Sequence, residues 1–293
     1  MWRGLYTAAT GMVTESKRTD VIANNIANAA TAGFKKDVAV HREFNAMLIR
    51  RINDHEDSSG GGPGALGTDI GDVTKFKGFG ANALERPIVG QLGMGDYISE
   101  IAVDHAQGAF ESTGNAFDLA IAGSGFFAVQ TPDGIRYTRN GAFFKNQNGV
   151  LQDIRGYNLL DITGNAITIP PNVTPERFSV AGDGTISVRG ANEAQPQILG
   201  RIQVVQFNDR LALRKQGDNL FYAVTDNNGN IAQPQPATGE VLQGILEKSN
   251  TEIVSEMVEL IHNHRLYEAG AKAVTTQDTM LDAAVNQLGR IGS

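Results

Sequence analysis

Residues 246–288 read LEKSNTEIVSEMVELIHNHRLYEAGAKAVTTQDTMLDAAVNQL, and this stretch decides the fold class. One row of side chains recurs every seven residues, and a second, partly polar row follows four residues behind it. Such a repeat predicts a long α-helix that packs against another helix as in a coiled coil. Ser249 or Asn250 is expected to cap its start. The first row contains Leu246, Ile253, Leu260, Tyr267, Val274, Leu281 and Leu288, and the second contains Asn250, Met257, His264, Ala271, Asp278 and Val285.

The length of this helix indicates what it packs against. At 1.5 Å per residue it would be about 64 Å long, whereas a compact globule of this chain length is about 50 Å across. The helix is therefore expected to project beyond its own domain and to pair with another terminal helix, an ordinary core helix being the alternative. Gly270 is its weak point, because glycine costs about 1 kcal/mol relative to alanine in a helix interior.

The expected partner is the amphipathic stretch 5–32 at the opposite end of the chain, which has a thin apolar seam and ends before Gly33. Three asparagines near its end, Asn24, Asn25 and Asn28, are unusual inside a helix, because their side chains compete for backbone hydrogen bonds. We interpret them as cross-subunit hydrogen-bonding groups that fix register, with fraying of the helix end as the alternative. The thin seam contains Leu5, Met12, Thr19 and Ile26, with Ala9, Ser16 and Ile22 on or near the adjoining ridge.

Residues 33–240 contain β-rich runs separated by turns. Asn-Gly and Asp-Gly pairs accept the positive φ angles of tight hairpins, and their spacing favours a sandwich or a partial barrel. We therefore predict a mixed α+β fold in which long N- and C-terminal helices form a coiled-coil-like core and the centre is mainly β. The hairpin pairs are Asp133-Gly134, Asn140-Gly141, Asn148-Gly149, Asp183-Gly184 and Asn228-Gly229. The predicted segments are 1–44 (helical), 45–95 (extended and Gly-rich), 96–240 (central β domain) and 241–293 (C-terminal helix).

The composition excludes several classes of function. Lys and Arg total 25 against 32 Asp and Glu, a net charge of −7, and without a basic cluster we expect no binding to nucleic acid. The absence of cysteine removes disulfides, thiolate metal sites and a cysteine nucleophile. No stretch has the about 20 apolar residues of a spanning helix, so no membrane insertion is expected. The first residues also lack the apolar core of a secretory signal.

No motif in the sequence builds a catalytic, metal or cofactor site. His262 and His264 would project about 200° apart around a helix, so they cannot share one ion. Gly123-Ser124-Gly125 lacks the pattern of a nucleophile elbow, and neither a phosphate loop nor a dinucleotide turn is present. We therefore predict that the chain is not an enzyme and needs no cofactor.

Three blocks of sequence carry a family resemblance. The first contains GLYTAATGM (4–12), VIANNIAN (21–28) and TAGFK (31–35), the second DLAIAGSGFF (118–127) and YTRNG (137–141), and the third QGILEKSN (243–250) and EMV (256–258). Together, and in this order, they resemble the flagellar rod and hook protein family of bacteria. The resemblance covers roughly half of the chain, and its closest likeness is to the rod proteins, particularly the distal rod type.

This resemblance implies a structural subunit that polymerises helically, its terminal helices lining a central channel, into a rod that transmits motor torque to the hook. It implies export through the flagellum's own apparatus without a cleaved signal, and a location in the basal body. The partners would be further copies, rod, hook and ring proteins, and the export apparatus. Residues 45–95 would correspond to a segment that stiffens the rod.

Two alternatives accompany this interpretation. Within the family, the chain could be a hook or proximal rod subunit, and in another class it could be a secreted β-rich binding module that dimerises by its helices. The predicted subunit-interface residues are Leu5, Met12, Ile22, Asn24, Asn25, Ile26, Asn28, Leu246, Ile253, Met257, Leu260, Tyr267, Val274, Leu281 and Leu288.

Overall fold

Two α-helices flank a β-rich region in the computed structural model. Helix α1 spans Trp2–Ala27 and helix α2 spans Ile253–Leu288. No helix in the described part of the chain is long and apolar enough to cross a membrane. Most of the predicted Gly-rich segment and the Asn228-Gly229 pair lie outside the described residues. The structure describes residues 2–43, 47–50, 88–92, 95–171, 173–190, 195–209, 213–224 and 232–288.

The β-strands between the helices are short. In chain order they are β1 (Asp37–Glu43), β2 (Met47–Arg50), β3 (Ile88–Leu92), β4 (Asp96–Val103), β5 (Phe110–Ser112), β6 (Leu119–Ala122), β7 (Phe126–Thr131), β8 (Gly134–Thr138), β9 (Phe143–Lys145), β10 (Leu151–Asp153), β11 (Asn158–Leu159), β12 (Phe178–Val180), β13 (Thr185–Val188), β14 (Gln197–Arg201), β15 (Val204–Gln206), β16 (Leu213–Gly217), β17 (Leu220–Ala223), β18 (Gln235–Pro236), β19 (Glu240–Gln243) and β20 (Ile245–Glu247).

The chain divides into two compact units, each built from separate stretches. The first unit contains Met1–Ser16, His41–Ser99 and Leu266–Ser293, and the second contains Lys17–Val40 and Glu100–Arg265. Each unit therefore contains part of both helices. The first unit contains the antiparallel pair β2–β3, and the second contains the main sheet.

The main sheet has the antiparallel order β16-β17-β8-β7-β11-β10-β9, and β15 pairs with both β7 and β18. Its central strand β7 is buried on both faces. Phe126 and Ala128 face one hydrophobic cluster, whereas Phe127 and Val129 face the other. Alternate side chains of a strand point to opposite faces, so this continuous apolar run belongs to a strand covered on both sides.

The other sheets are smaller than the main one. They are the three-stranded β12-β13-β14 and the pairs β1–β4, β2–β3, β5–β20 and β6–β19. The prediction of two terminal helices and a central, mainly β region is confirmed. Within the described ranges, none of the sheets closes into a barrel.

The hairpin predictions hold for three of the dipeptides. Asp133-Gly134 connects β7 to β8, Asn148-Gly149 connects β9 to β10, and Asp183-Gly184 connects β12 to β13. All three glycines have positive φ angles, which is the conformation that these turns require and that side chains with a Cβ adopt only with strain.

The Asn140-Gly141 pair does not form a hairpin, because β8 and β9 are not neighbours in the sheet. The carbonyl of Gly141 instead accepts the Leu119 N–H at 2.9 Å, and a Cβ on Gly141 would overlap the Leu119 carbonyl. A glycine is therefore needed here for close backbone approach. One of the hairpins that the sequence analysis missed joins β16 to β17, where Asp218 and Asn219 have φ angles of 57° and 59°, as in a type I′ turn.

The C-terminal helix begins later than predicted. Leu246 lies in β20, paired with Glu111 of β5, and residues 240–243 form β19 opposite β6, so the prediction of helix from residue 241 is wrong. Helical hydrogen bonding begins with the Glu256 N–H, which donates to the Glu252 carbonyl at 3.0 Å. Leu246 is an apolar residue of a strand, and its position seven residues before Ile253 matches the heptad spacing by coincidence.

The predicted helix caps have other partners. The Ser249 hydroxyl accepts the Thr251 N–H, and the Asn250 side chain binds the backbone at Lys36 and Asp104. These side chains fix the segment that precedes α2. Helix α1 also ends earlier than predicted, at Ala27, and turns lead from there to Gly33.

A buried carboxyl in the β region gives the first testable prediction. Asp153 of β10 is buried, and this burial raises the pKa of its carboxyl above the ordinary 3.8, although the Ile154 N–H and Arg155 act in the opposite direction. The Asp153 carboxyl therefore ionises at a lower pH in the unfolded chain than in the folded chain. Its contribution to stability falls as the pH rises from about 4 through the folded-state pKa.

We therefore expect Asp153→Asn to raise the unfolding temperature at pH 7, because the amide stays neutral and keeps an oxygen for the Ile154 N–H. The gain should shrink as the pH is lowered towards 4. Thermal unfolding of both proteins across this pH range tests the expectation. A variant that melts at or below the parent temperature at pH 7 would contradict it.

Candidate functional site

A buried ion cluster lies where α1 leads into the β region of the second unit. Glu247 of β20 accepts hydrogen bonds from Lys35 Nζ at 2.5 Å and from Arg139 Nη1 at 3.1 Å. The three side chains are only 0–7% exposed. The Gly108 N–H also donates to Glu247 Oε1 at 3.0 Å. One carboxylate therefore compensates two cations away from water.

Backbone carbonyls accept further hydrogen bonds from the cations of this ion cluster. Lys35 Nζ donates to the Ala106 carbonyl at 2.7 Å, and Arg139 donates to the carbonyls of Ile121 and Gly123. Burial lowers the pKa of the Lys35 ammonium below its ordinary 10.5, although the hydrogen bond and charge of Glu247 act in the opposite direction. A buried charge that loses its partner is strongly destabilising, so these contacts make the cluster a structural junction.

The ion cluster joins the three blocks that carry the family resemblance, because Lys35, Arg139 and Glu247 come one from each block. The adjacent Gly33 donates its N–H to the Glu247 carbonyl at 2.7 Å. It has a positive φ of 68°, and a Cβ there would overlap the backbone at Arg139. The sequence analysis predicted none of these residues as site residues. The available signal was a charged residue within each block.

The two helices pack against each other within the second unit. Asn263 donates to Thr19 Oγ1 at 2.7 Å, and Asn25 donates to Glu256 Oε2 at 3.4 Å. Residue numbers rise along one helix as they fall along the other, so this packing is antiparallel. Ile22 is buried on the same part of α1.

The helices also approach each other within the first unit. A Cβ on Gly4 would overlap the side chain of Gln277, and a Cβ on Gly270 would lie 2.8 Å from Met12 Cγ. The pairing is antiparallel here too. Gly270, the predicted weak point of α2, therefore has a packing role, because it leaves room for Met12.

The second row of α2 lies three residues after the heptad row, not four. The residues of α2 that contact α1 or lie close to it are Glu256, Asn263, Gly270 and Gln277. By contrast, Met257 and Val285 are exposed. The predicted second row is therefore wrong, because polar residues and glycine form the packed row, whereas most of the predicted row is exposed, including His264 and Asp278. The heptad row itself is half-buried at Leu260, Val274 and Leu281 and exposed at Ile253 and Tyr267. The side chain of Leu288 lies outside the described residues.

The predicted interface residues of α1 fall into different environments. Leu5, Met12 and Ile26 are half-buried, and Asn24 is exposed. Asn28 donates to the Asn24 carbonyl, as expected near a helix end.

The described contacts of Asn25 lie within the chain. Its side chain is 2% exposed, donates to the Asp37 carbonyl and accepts the Asp37 N–H, both at 2.9 Å. It therefore links α1 to the first residue of β1, which differs from the predicted contact between subunits.

We expect Asn25→Ala to lower the free energy of unfolding by about 1–3 kcal/mol, because it removes two hydrogen bonds to part-buried backbone groups of Asp37. Asn24→Ala is the matched control, and this exposed neighbour should change stability by less than about 0.5 kcal/mol. Urea unfolding of the two variants measures both effects. Equal stabilities would contradict the role assigned to Asn25.

An exposed apolar strip lies on the first turns of α2, within the second unit. Its side chains are 45–68% exposed, and their spacing places them on one face of the helix. Contiguous exposed apolar surface is a feature of many protein interaction sites. The apolar strip consists of Ile253, Val254, Met257, Val258 and Ile261. Of the predicted interface residues, Ile253 and Met257 belong to it.

Comparisons with known proteins match this arrangement of blocks. Residues 5–35 match the family model described as flagella basal body rod protein. Residues 120–188 match the flagellar hook protein FlgE/F/G D1 domain, and residues 242–288 match the flagellar basal body rod FlgEFG protein C-terminal model. The matched ranges contain Lys35, Arg139 and Glu247, respectively.

The similarity to curated relatives covers nearly the whole chain. Flagellar basal-body rod protein FlgG of Bacillus subtilis (strain 168) is 34% identical over 289 residues, which are 98% of this chain and 99% of that protein. FlgG of Borreliella burgdorferi is 33% identical over 98% of both chains. Flagellar basal-body rod protein FlgF of Caulobacter vibrioides is 33% identical over 99% of this chain and 100% of that protein.

Proposed function

The chain belongs to the family of flagellar basal-body rod proteins, and from this membership we propose that it polymerises helically through its terminal helices into the rod, the shaft that transmits motor torque to the hook. As a member of this family it is a structural protein of the flagellar basal body and not an enzyme. The proposal concerns how copies of the chain assemble and what the assembly does.

The apolar strip of α2 is the observation that carries this proposal. Its five side chains are exposed in one copy although α2 packs against α1 with another face. Burial of apolar surface is a main favourable contribution to protein–protein association, so a second copy that covers the strip would gain this contribution. Contacts between different surfaces of identical subunits form a ring if the rotation between copies closes and a helical polymer if it does not; the proposal is the second of these.

The coiled-coil character of the helix pair is a further part of the proposal. The antiparallel contacts and the spacing of Glu256, Leu260, Asn263 and Gly270 support it, because their steps of four, three and seven residues fit the 3.5-residue period of a coiled coil. In this arrangement the α1–α2 pair is the unit that each copy adds to the polymer.

We also propose a distal position in the rod, with copies of itself and rod, hook and ring proteins as neighbours. Export would proceed through the flagellum's own apparatus without a cleaved signal. The likeness of the terminal blocks to those of rod proteins supports this assignment. A proximal rod or hook subunit is the alternative within the family.

Elongation of the purified protein tests the proposal. Concentrated protein, seeded with sheared fragments of its own polymer or with isolated basal bodies, should form linear structures whose light scattering grows with time. Electron microscopy of the products distinguishes tubes from small particles. A product that stops at a discrete dimer, with or without seeds, would instead support the dimerising binding module and contradict the proposal.

A further inference from the structure

A polar cavity lies beside the ion cluster in the second unit. It has a volume of about 230 Å³, and Lys35, His105 and Arg139 line it together with Gln206 and Asn208. Within the described residues, each titratable group that lines the cavity is a base. The acidic partner Glu247 lies outside this lining, so the cavity presents positive charge and hydrogen-bond donors.

The cations that line the cavity are held in place. The Lys35 side chain is 1% exposed, and the guanidinium of Arg139 lies over the ring of Phe126 with 5.4 Å between Cζ and the ring centroid. The His105 ring packs edge-on against the same phenylalanine, with the centroids 5.8 Å apart. Preorganised donors of this kind lose little conformational entropy when they bind a ligand.

Lys35 has a hydrogen-bond donor left for a further acceptor. A lysine ammonium has three N–H donors. In the described part of the structure, Lys35 uses two of them, on Glu247 and Ala106.

We propose that this cavity is a binding site for a compact oxyanion, a carboxylate or a phosphate group. Charge-assisted hydrogen bonds from lysine and arginine are the contacts that such groups take in proteins, and the amides of Gln206 and Asn208 add neutral donors. The oxyanion can come from two sources, a small anion in solution or an acidic side chain of another copy of the chain.

The first arm of the test uses dilute monomer and small anions. Thermal unfolding is measured in acetate or phosphate and compared with chloride at the same ionic strength. A saturable rise of about 3 °C is expected when the anion is in tenfold excess over its Kd. Gln206→Glu places a carboxylate in the cavity without changing side-chain size, so it should abolish this rise. Gln130→Glu, an exposed position on β7 of the same sheet, should retain it.

The second arm uses concentrated protein and depends on the proposed assembly, whereas the first arm does not. If the oxyanion belongs to another copy, Gln206→Glu should weaken self-association at least tenfold in sedimentation velocity, and Gln130→Glu should not. A response in either arm supports the site and identifies its source. Unfolding temperatures of the parent that are equal in all anions, together with unchanged association of Gln206→Glu, would overturn the proposal.

Discussion

Replacing Glu247 with alanine is expected to lower the free energy of unfolding by about 3–5 kcal/mol, because two buried cations lose their shared carboxylate. The partners of Glu247 are Lys35 and Arg139, and all three side chains are almost wholly withdrawn from water. The variant also removes the acceptor of the Gly108 N–H. The loss should appear as a large fall in the unfolding temperature and as early proteolysis of the chain.

Glu111→Ala is the matched control for this prediction. Glu111 lies on β5, which pairs with the strand that carries Glu247, and its carboxylate forms an ion pair with Lys248 at 3.1 Å. Both of these side chains are 56% exposed, and exposed pairs contribute only about 0–1 kcal/mol. Chemical unfolding of the two variants measures the difference. Similar losses in both would show that the ion cluster is not the junction described above.

The second large effect is expected on assembly. Ile261→Asp places a charge in the apolar strip, and an unpaired charge buried at an interface costs several kcal/mol. We expect association between copies to weaken by about 100-fold or more. The unfolding temperature of the monomer should change little, because Ile261 is 56% exposed in one copy.

His262→Asp provides the comparison on the next residue of the same helix. His262 is exposed and lies outside the apolar strip, so this variant adds a carboxylate to α2 without placing it on the apolar face. Critical concentrations from sedimentation, together with electron micrographs, measure the assembly of each variant. Normal assembly of Ile261→Asp, or equal loss in both variants, would argue against the strip as a contact between copies.

Ile261 is a better position for this test than Leu260. An aspartate at Leu260 tests the heptad row predicted from the sequence, but this side chain is half-buried within one copy. Its replacement would therefore change folding and assembly together. The exposed strip separates the two effects.

The sequence predicted the terminal helices well because a 3.5-residue spacing is a local property of the chain. The predicted ends of both helices were wrong. Leu246 fits the heptad row but pairs with β5, a segment more than 100 residues away along the chain, and no local pattern reveals that pairing. The packed row of α2 was also misassigned, since Glu256, Asn263 and Gln277 are polar and a search for apolar residues passes over them.

The ion cluster could not be predicted from patterns in the sequence, for a different reason. Lys35 and Glu247 are separated by 212 residues, and Arg139 and Glu247 by 108. Their burial becomes visible only when the strands that carry them are placed in space. The three blocks were recognised as family motifs, but the motifs alone did not indicate that their charges meet. For Asn25, the residue type correctly indicated hydrogen bonding, and the partner proved to be Asp37 of the same chain.

A helical reconstruction of the assembled protein by electron cryo-microscopy tests the central claim most directly. The account predicts a tube in which α1 and α2 of every copy line the central channel, and in which another copy covers Ile253, Val258 and Ile261 of the apolar strip. A discrete dimer, or a tube in which this strip faces solvent in every copy, would contradict the account.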